Sequence, residues 1–337
     1  MASTRTAYPD YEQELKTMNT HIANLCKFIN IAAIGLLAAL SAYGCASVPA
    51  HSDAAGPRLE PAPLPAYSQG TTFVYSDGKW ETVIDTTGGV VTWKDYRNYT
   101  YSGSPDFTYR PSIWQGKTLS INRQFGPRSD LFIKNTTTLW PLRAGNSASY
   151  SEKGTRVSKG GAQSNYQTVW ACSVPGTERV SVMAGDFDTY EIVCKRYSVS
   201  RKKKTRFRLR EVKTWNYAPE VGHFVLVTTE YYTGKKPRRK ELLAVLPPLN
   251  SISAGTRRQI KRNFQQALES NKSGQTARWS SAELRASVET MPTRTFKTPD
   301  GNYSRRYIQK LTLPDGQRTY YGMAVRNAGG VWEIPLK

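Results

Sequence analysis

The chain has 337 residues, 39% of them hydrophobic and 11% aromatic, and a formal charge of +21. That length has room for two ordinary domains, and the apolar share excludes a disordered polymer. The charge points to a large anionic surface as partner, while three histidines leave little material for a metal centre or an activated nucleophile.

The first element is an apolar run, FINIAAIGLLAALSAYG, from Phe28 to Gly44, with Lys27 just before it. Its length lies between a signal-peptide core and a full membrane span, and its small-residue end followed by Cys45 favours an export signal. Residues 1–44 are therefore expected to be a signal peptide. Asp10, Glu12 and Glu14 precede the core, which suggests that translation starts at Met18.

The four residues Ala42, Tyr43, Gly44 and Cys45 resemble the lipobox of bacterial lipoproteins. That resemblance implies that Cys45 carries the lipid as the first mature residue, and Ala46 behind it suits the outer membrane. A plain secretory signal, with Cys45 incidental, is the alternative. Residues 45–69 hold five prolines and little apolar content, as an extended tether would.

Residues 70–249 read as an antiparallel β-domain. Short runs rich in Val, Thr, Tyr, Phe and Trp recur between turn residues: GTTFVYS, WETVIDTT, VVTWKDY, DLFIKNTTTLW, TYEIVCKRYSV, FRLREVKTWNY and GHFVLVTTEYYT. Without amphipathic helical stretches between them, they predict a curved sheet, sandwich or half-barrel. Cys172 and Cys194 flank strands with turns expected at Pro175-Gly176 and Ala184-Gly185. In an oxidising compartment they would form a disulfide, and two unpaired buried thiols are the other outcome.

Within this domain the chemistry-bearing residues are sparse. His223 opens an apolar strand, where a packed or edge histidine is the commoner outcome. Asp186 and Asp188 could share a strand face as paired carboxylates or calcium ligands, though a solvated turn explains them better. No G-x-S-x-G, H-E-x-x-H, Walker A or G-x-G-x-x-G motif occurs. These observations predict no enzyme, no metal and no cofactor.

The basic residues are concentrated instead. Residues 201–240 hold 13 Lys or Arg against Glu211, Glu220 and Glu230. Arg201, Lys202, Lys203 and Lys204 form a loop leading into a strand on which Arg206, Arg208 and Arg210 alternate with Phe207 and Leu209. Lys235, Lys236, Arg238, Arg239 and Lys240 form a second cluster after the next strand. In an exported protein these twelve residues predict binding to anionic phospholipid or envelope polymers rather than nucleic acid. A solvated face that guards an edge strand would carry the same residues.

Residues 252–337 read as a helix followed by antiparallel strands. Ile260, Phe264, Ala267 and Leu268 have the spacing of one helical face, over Thr256–Glu269, and Asp315-Gly316 marks a hairpin. The ordered series Ala267-Leu268-Glu269, Ser273-Gly274, Trp279, Thr295-Phe296, Arg305, Tyr307, Tyr321-Gly322, Ala324, Arg326 and Gly330-Val331-Trp332 is similar to the C-terminal domain of the rickettsial-type surface antigen lipoproteins. The cysteines of that family fall on Ser304 and Val325. Upstream, AGDFDTYEIVC and WNYAPEVGHFV are weakly similar to exported β-domains of uncharacterised envelope proteins.

The resemblance implies an outer-membrane envelope location and no catalytic residues; packing is the role expected for Arg305, Tyr307, Arg326 and Trp332. The reading that results is a mainly β, α+β overall, non-enzymatic lipoprotein held to the membrane through its lipid. A β-domain that shelters acyl chains is the alternative, and a cell-wall hydrolase follows behind.

Overall fold

The computed structural model describes residues 56–109, 113–114, 117–118, 120–124, 139–157, 163–199, 207–249, 252–298, 301–314 and 316–336. The expected signal, Cys45, Arg201 to Lys204, Arg206 and most of DLFIKNTTTLW lie outside these residues. The fold is mainly β with one α-helix among the described residues, and every strand pairing is antiparallel.

In chain order the first strands are β1 (Thr72–Tyr75), β2 (Trp80–Asp85), β3 (Val91–Asp95), β4 (Thr100–Gly103), β5 (Ile113–Trp114), β6 (Lys117–Thr118) and β7 (Ser120–Gln124). The long strands follow: β8 (Ser147–Val157), β9 (Gln163–Val182), β10 (Gly185–Val199), β11 (Phe207–Ala218), β12 (His223–Tyr231) and β13 (Arg238–Leu246). Strands β7 to β13 form one meander. Strands β6 back to β1 form a second, which also ends on β13.

Thus β13 belongs to both. Its first half pairs with β12 through Glu241↔Leu226 and Lys240↔Val227, and its second half pairs with β1 through Phe73↔Val245 and Val74↔Ala244. The residues change with the partner: Arg238 and Arg239 are exposed, while Leu242, Leu243 and Ala244 are buried. The inner faces of both meanders contribute to one core, in which Phe73, Tyr75, Val83 and Trp93 join Trp170, Ile192, Trp215 and Tyr217. Burying large apolar side chains of this kind contributes about 1.5–3 kcal/mol each. This is the sandwich or half-barrel that the strand pattern predicts.

The cysteines are register partners on β9 and β10, and a disulfide joins Cys172 to Cys194 with Cα atoms 4.0 Å apart. The turn expected at Pro175-Gly176 does not form. Strand β9 runs through it, and the register with β10 shifts between Glu191 and Val193. Proline cannot donate to a ladder, so the extra residue is absorbed as a bulge while β10 pairs with β9 before and after it.

The proline-rich stretch is also not free of the body over its described part. Thr177 Oγ1 donates to Pro57 O at 2.6 Å, Tyr190 Oη donates to Leu59 O and Glu60 O at 3.1 Å, and Ala62 bridges to Leu142. Residues 57–67 are extended, as their prolines dictate, but docked.

Helix α1 (Ala254–Ser270) is two residues longer at its start than the spacing predicts. Ser253 caps it, its Oγ accepting from Thr256 N at 3.2 Å. Ile260, Ala267 and Leu268 are buried, and Phe264 meets the ring of Tyr307 edge-on at 4.9 Å. Strands β14 (Ala277–Ser281), β15 (Ala286–Lys297), β16 (Tyr303–Leu313), β17 (Gly316–Arg326) and β18 (Trp332–Glu333) form a further meander, joined to β13 by Ala244↔Gly322.

Candidate functional site: an aromatic basin beside a basic strand end

Strand pairing gathers the second basic cluster beside the first. Tyr231 pairs with Glu211, Tyr232 N donates to Arg210 O at 2.9 Å, and Thr229 pairs with Arg238. Arg208, Arg210, Lys235, Lys236, Arg238, Arg239 and Lys240 therefore lie at one end of β11, β12 and β13. Arg239 is paired with Glu241 at 2.7 Å and Lys240 with Glu81 at 3.4 Å. Arg208, Lys235, Lys236 and Arg238 are exposed and have no carboxylate partner among the described residues.

The regular alternation expected on β11 does not persist. The ladder with β10 shifts between Arg196 and Tyr197, which leaves Arg210 opposite no residue and only half-exposed. Phe207 and Leu209 are likewise half-buried, so this strand end has no clean inner and outer face.

Beside this end the two meanders enclose a cavity of about 520 Å³. Its walls include Trp93 and Tyr101 from one meander and Trp170, Trp215 and Phe224 from the other. Trp93 and Tyr101 stack with rings 15° from parallel and centroids 6.4 Å apart. Four cations (Arg196, Lys213, Lys235 and Lys240) and two carboxylates (Glu81 and Glu211) also line it. Arg196 and Glu211 are paired at 2.8 Å.

His223 forms part of the floor, only 2% exposed. Tyr67 Oη lies 2.9 Å from its Nδ1 and Tyr75 Oη 3.0 Å from its Nε2, while Tyr75 donates to Glu81 Oε2 at 3.1 Å. With the Tyr75 proton committed to Glu81, His223 must donate from Nε2 and accept at Nδ1 from Tyr67, which is a single neutral tautomer. Burial, then Lys240, holds its pKa well below the ordinary histidine value. Burial first, and Glu81 after it, likewise pushes the Tyr75 and Tyr101 phenols well upward. Lys240 Nζ lies 3.3 Å from the centroid of the Tyr75 ring.

The aspartates do not form a paired site. Asp186 accepts from Ser181 Oγ at 2.5 Å and from Arg306 Nη1 at 3.0 Å, interactions that lower its pKa. Asp188 is paired with Arg179 at 3.0 Å. Among the described residues no group of His, Cys, Asp and Glu is placed to hold a metal ion, and no helix is long and apolar enough to cross a membrane.

The matched residues of the C-terminal module form one packed unit. Arg305 donates to Leu268 O and, at 2.7 Å, to Asn271 O at the end of α1. Glu269 receives two bonds from Arg326 and one from Trp332 Nε1, all at 2.9 Å. A Cβ on Gly322 would lie 2.6 Å from Tyr307 Oη and 2.8 Å from Ala244 Cβ, so only glycine allows β17 to approach β13 this closely.

No family model matches the chain. It is 30% identical over 78 residues to a 17 kDa surface antigen of Rickettsia felis, covering 23% of this chain and 49% of that protein. A 17 kDa surface antigen of Rickettsia bellii is 29% identical over 89 residues, covering 25% of this chain and 56% of the other. The chain thus spans about half the length of these relatives, a partial and loose relationship. Among solved structures, the hypothetical lipoprotein YmcC of Escherichia coli matches with a TM-score of 0.32 and 11% identity, over 51% of this chain and 82% of that one. That likeness is too slight to argue from.

Proposed function

We propose that this protein is a non-enzymatic, lipid-anchored envelope protein, attached to the outer membrane through Cys45, that turns its basic strand end towards anionic envelope material. The observation that carries this reading is the convergence of Arg208, Lys235, Lys236 and Arg238, exposed and without carboxylate partners among the described residues, at one end of three adjacent strands. Each cation near an anionic surface is worth about 1 kcal/mol. His223 supports the non-enzymatic reading, because both ring nitrogens are engaged by phenols in a water-poor setting. The partial likeness to rickettsial surface antigens suits an envelope location, with a structural, assembly or surface-antigen role.

Vesicle flotation tests the proposal. The full chain should bind vesicles containing phosphatidylglycerol more tightly than phosphatidylcholine vesicles, with affinity falling as salt rises. Replacing Arg208, Lys235, Lys236 and Arg238 by Ser should remove the difference. Equal binding to both vesicles, or an unchanged difference in the quadruple variant, would refute it.

A second reading, handling of acyl chains, has one observation in its favour. A groove of about 1090 Å³ is lined by Leu246, Leu249, Phe264, Val331, Trp332 and Ile334, between α1 and the strands of the β-body. Displacement of a bound fluorescent fatty acid, lost in Phe264→Asp, would support it.

A further inference from the structure

We infer that the groove along α1 is a binding site for a long-chain fatty acid, with the hydrocarbon against its walls and the ionised carboxylate on Lys261 and Arg258. The inference rests on the reading of that groove as an acyl-chain site, and names the lipid and the residue that selects it.

The walls call for hydrocarbon. Leu246, Leu249, Phe264 and Ile334 line the groove and are only half-buried. The polar side chains among them are already engaged. Gln265 Nε2 donates to Trp332 O at 2.8 Å, and its Oε1 accepts from Trp332 N at 2.9 Å. Gln309 donates to Thr290 Oγ1 at 3.1 Å, and the hydroxyls of Thr72 and Thr82 lie 2.7 Å apart. A sugar or a peptide would bring donors and acceptors to walls with few partners to offer, and an unmet buried polar group is costly. An alkyl chain asks for none, and each methylene it takes out of water favours binding about fourfold. The volume, about 1090 Å³, stands at the upper end of small-molecule sites.

The charge of the head follows from the rim. Among the described residues, Lys261 is the one charged side chain in the lining, and no carboxylate joins it there. Arg258, Lys261 and Arg262 are all exposed and lie three or four residues apart on α1, on neighbouring positions of its surface. Neither Lys261 nor Arg258 has a carboxylate partner among the described residues, and the first turn of α1 contains no acid. Like charges at this spacing repel, and an anion between Lys261 and Arg258 relieves that repulsion. A zwitterionic amphiphile would set a positive charge beside Lys261. A glycerophosphate head would add hydroxyls next to walls whose polar groups are taken. A carboxylate at the end of a single chain meets neither difficulty.

Displacement of cis-parinarate from the full chain tests this, with palmitate, laurate, hexadecanol and lysophosphatidylglycerol as competitors. Palmitate should compete at least tenfold more effectively than hexadecanol, and at least tenfold more effectively than the shorter laurate. Lys261→Gln should weaken palmitate at least fivefold and leave hexadecanol unchanged, while Lys261→Arg keeps the preference. Circular dichroism confirms that each variant is folded. Equal competition by hexadecanol, unchanged palmitate affinity in Lys261→Gln, or lysophosphatidylglycerol tenfold tighter than palmitate would overturn the inference.

The inference and the readings beside it fail separately. Loss of the charge preference, with Phe264→Asp still abolishing all binding, would leave an acyl-chain groove blind to the head. Competition by no lipid, or binding indifferent to Phe264→Asp, would dispose of the groove and the fatty acid together; Phe264→Ala serves should the Asp variant fail to fold. The strand-end quadruple variant should bind palmitate unchanged. A loss there would place the carboxylate at the basic strand end and overturn the inference.

Discussion

Ser304 on β16 and Val325 on β17 are direct register partners, at the two positions where the rickettsial-type surface antigens carry cysteine. The hairpin pairs these two positions with no cysteine at either. A Ser304→Cys, Val325→Cys double variant should close a disulfide on oxidation and raise stability, by about 3 kcal/mol from chain entropy if no strain is introduced. Denaturation with and without reductant reads the difference; free thiols persisting after oxidation would mean that the two strands are out of this register.

His223 gives the fold a specific sensitivity to acid. An unfolded histidine titrates near 6.5, whereas burial keeps the folded one neutral to a lower pH. Protonation therefore favours the unfolded chain. Stability is unaffected above about pH 6.5 and falls below it, by up to about 1.4 kcal/mol per pH unit until the folded group itself titrates. His223→Gln should be less stable at pH 7.5 but lose this slope between pH 6.5 and 5. Parallel pH profiles for the two proteins would rule the mechanism out.

Arg305 ties β16 to the carbonyl end of α1, and it is only 7% exposed. Arg305→Met removes two charge-assisted bonds and strands the carbonyls of Leu268 and Asn271. A loss of about 2–4 kcal/mol should appear in urea titration. Lys should rescue little, because one ammonium cannot span both carbonyls as the planar fork does. Full rescue by Lys would show that only charge at the helix terminus matters.

Gly322→Ala tests the contact between β13 and the C-terminal meander. Its Cβ has no room between Tyr307 and Ala244, so one strand must shift. The expected loss is about 1–3 kcal/mol. Pairing the change with Tyr307→Phe, which removes the nearest atom, should recover part of it; additive losses would locate the strain elsewhere.

Much of the fold was legible in the sequence because each strand carries its own signal. The alternating run TYEIVCKRYSV lies in β10, the apolar run of GHFVLVTTEYYT in β12, and Ile260, Ala267 and Leu268 mark the buried face of α1. The disulfide was legible from compartment and count. Pro175-Gly176 forms no turn, since the local preference yields to the ladder with β10 that runs on past it. In the proline-rich stretch nothing announces that Tyr67 will find His223, 156 residues away.

The basin was not legible at all. Glu81 and Lys240 meet across 159 positions, and Trp93, Tyr101 and Trp215 each look like ordinary strand aromatics. Only the closing of two meanders on a shared strand turns them towards one space. The basic cluster, by contrast, was visible as composition, and strand pairing added its convergence.

That shared strand has a mechanical consequence. Along β13 the polar half, Arg238 to Glu241, is hydrogen-bonded to β12, and the apolar half, Leu242 to Leu246, to β1, with Gly322 of β17 meeting Ala244. A pull on the hairpin that carries Lys235 and Lys236 is transmitted along one covalent segment into the seam of the whole β-body. Load taken up at the charged tip is thus borne by a strand that three others share, and the buried amides of Leu242 to Val245 should exchange slowly with solvent.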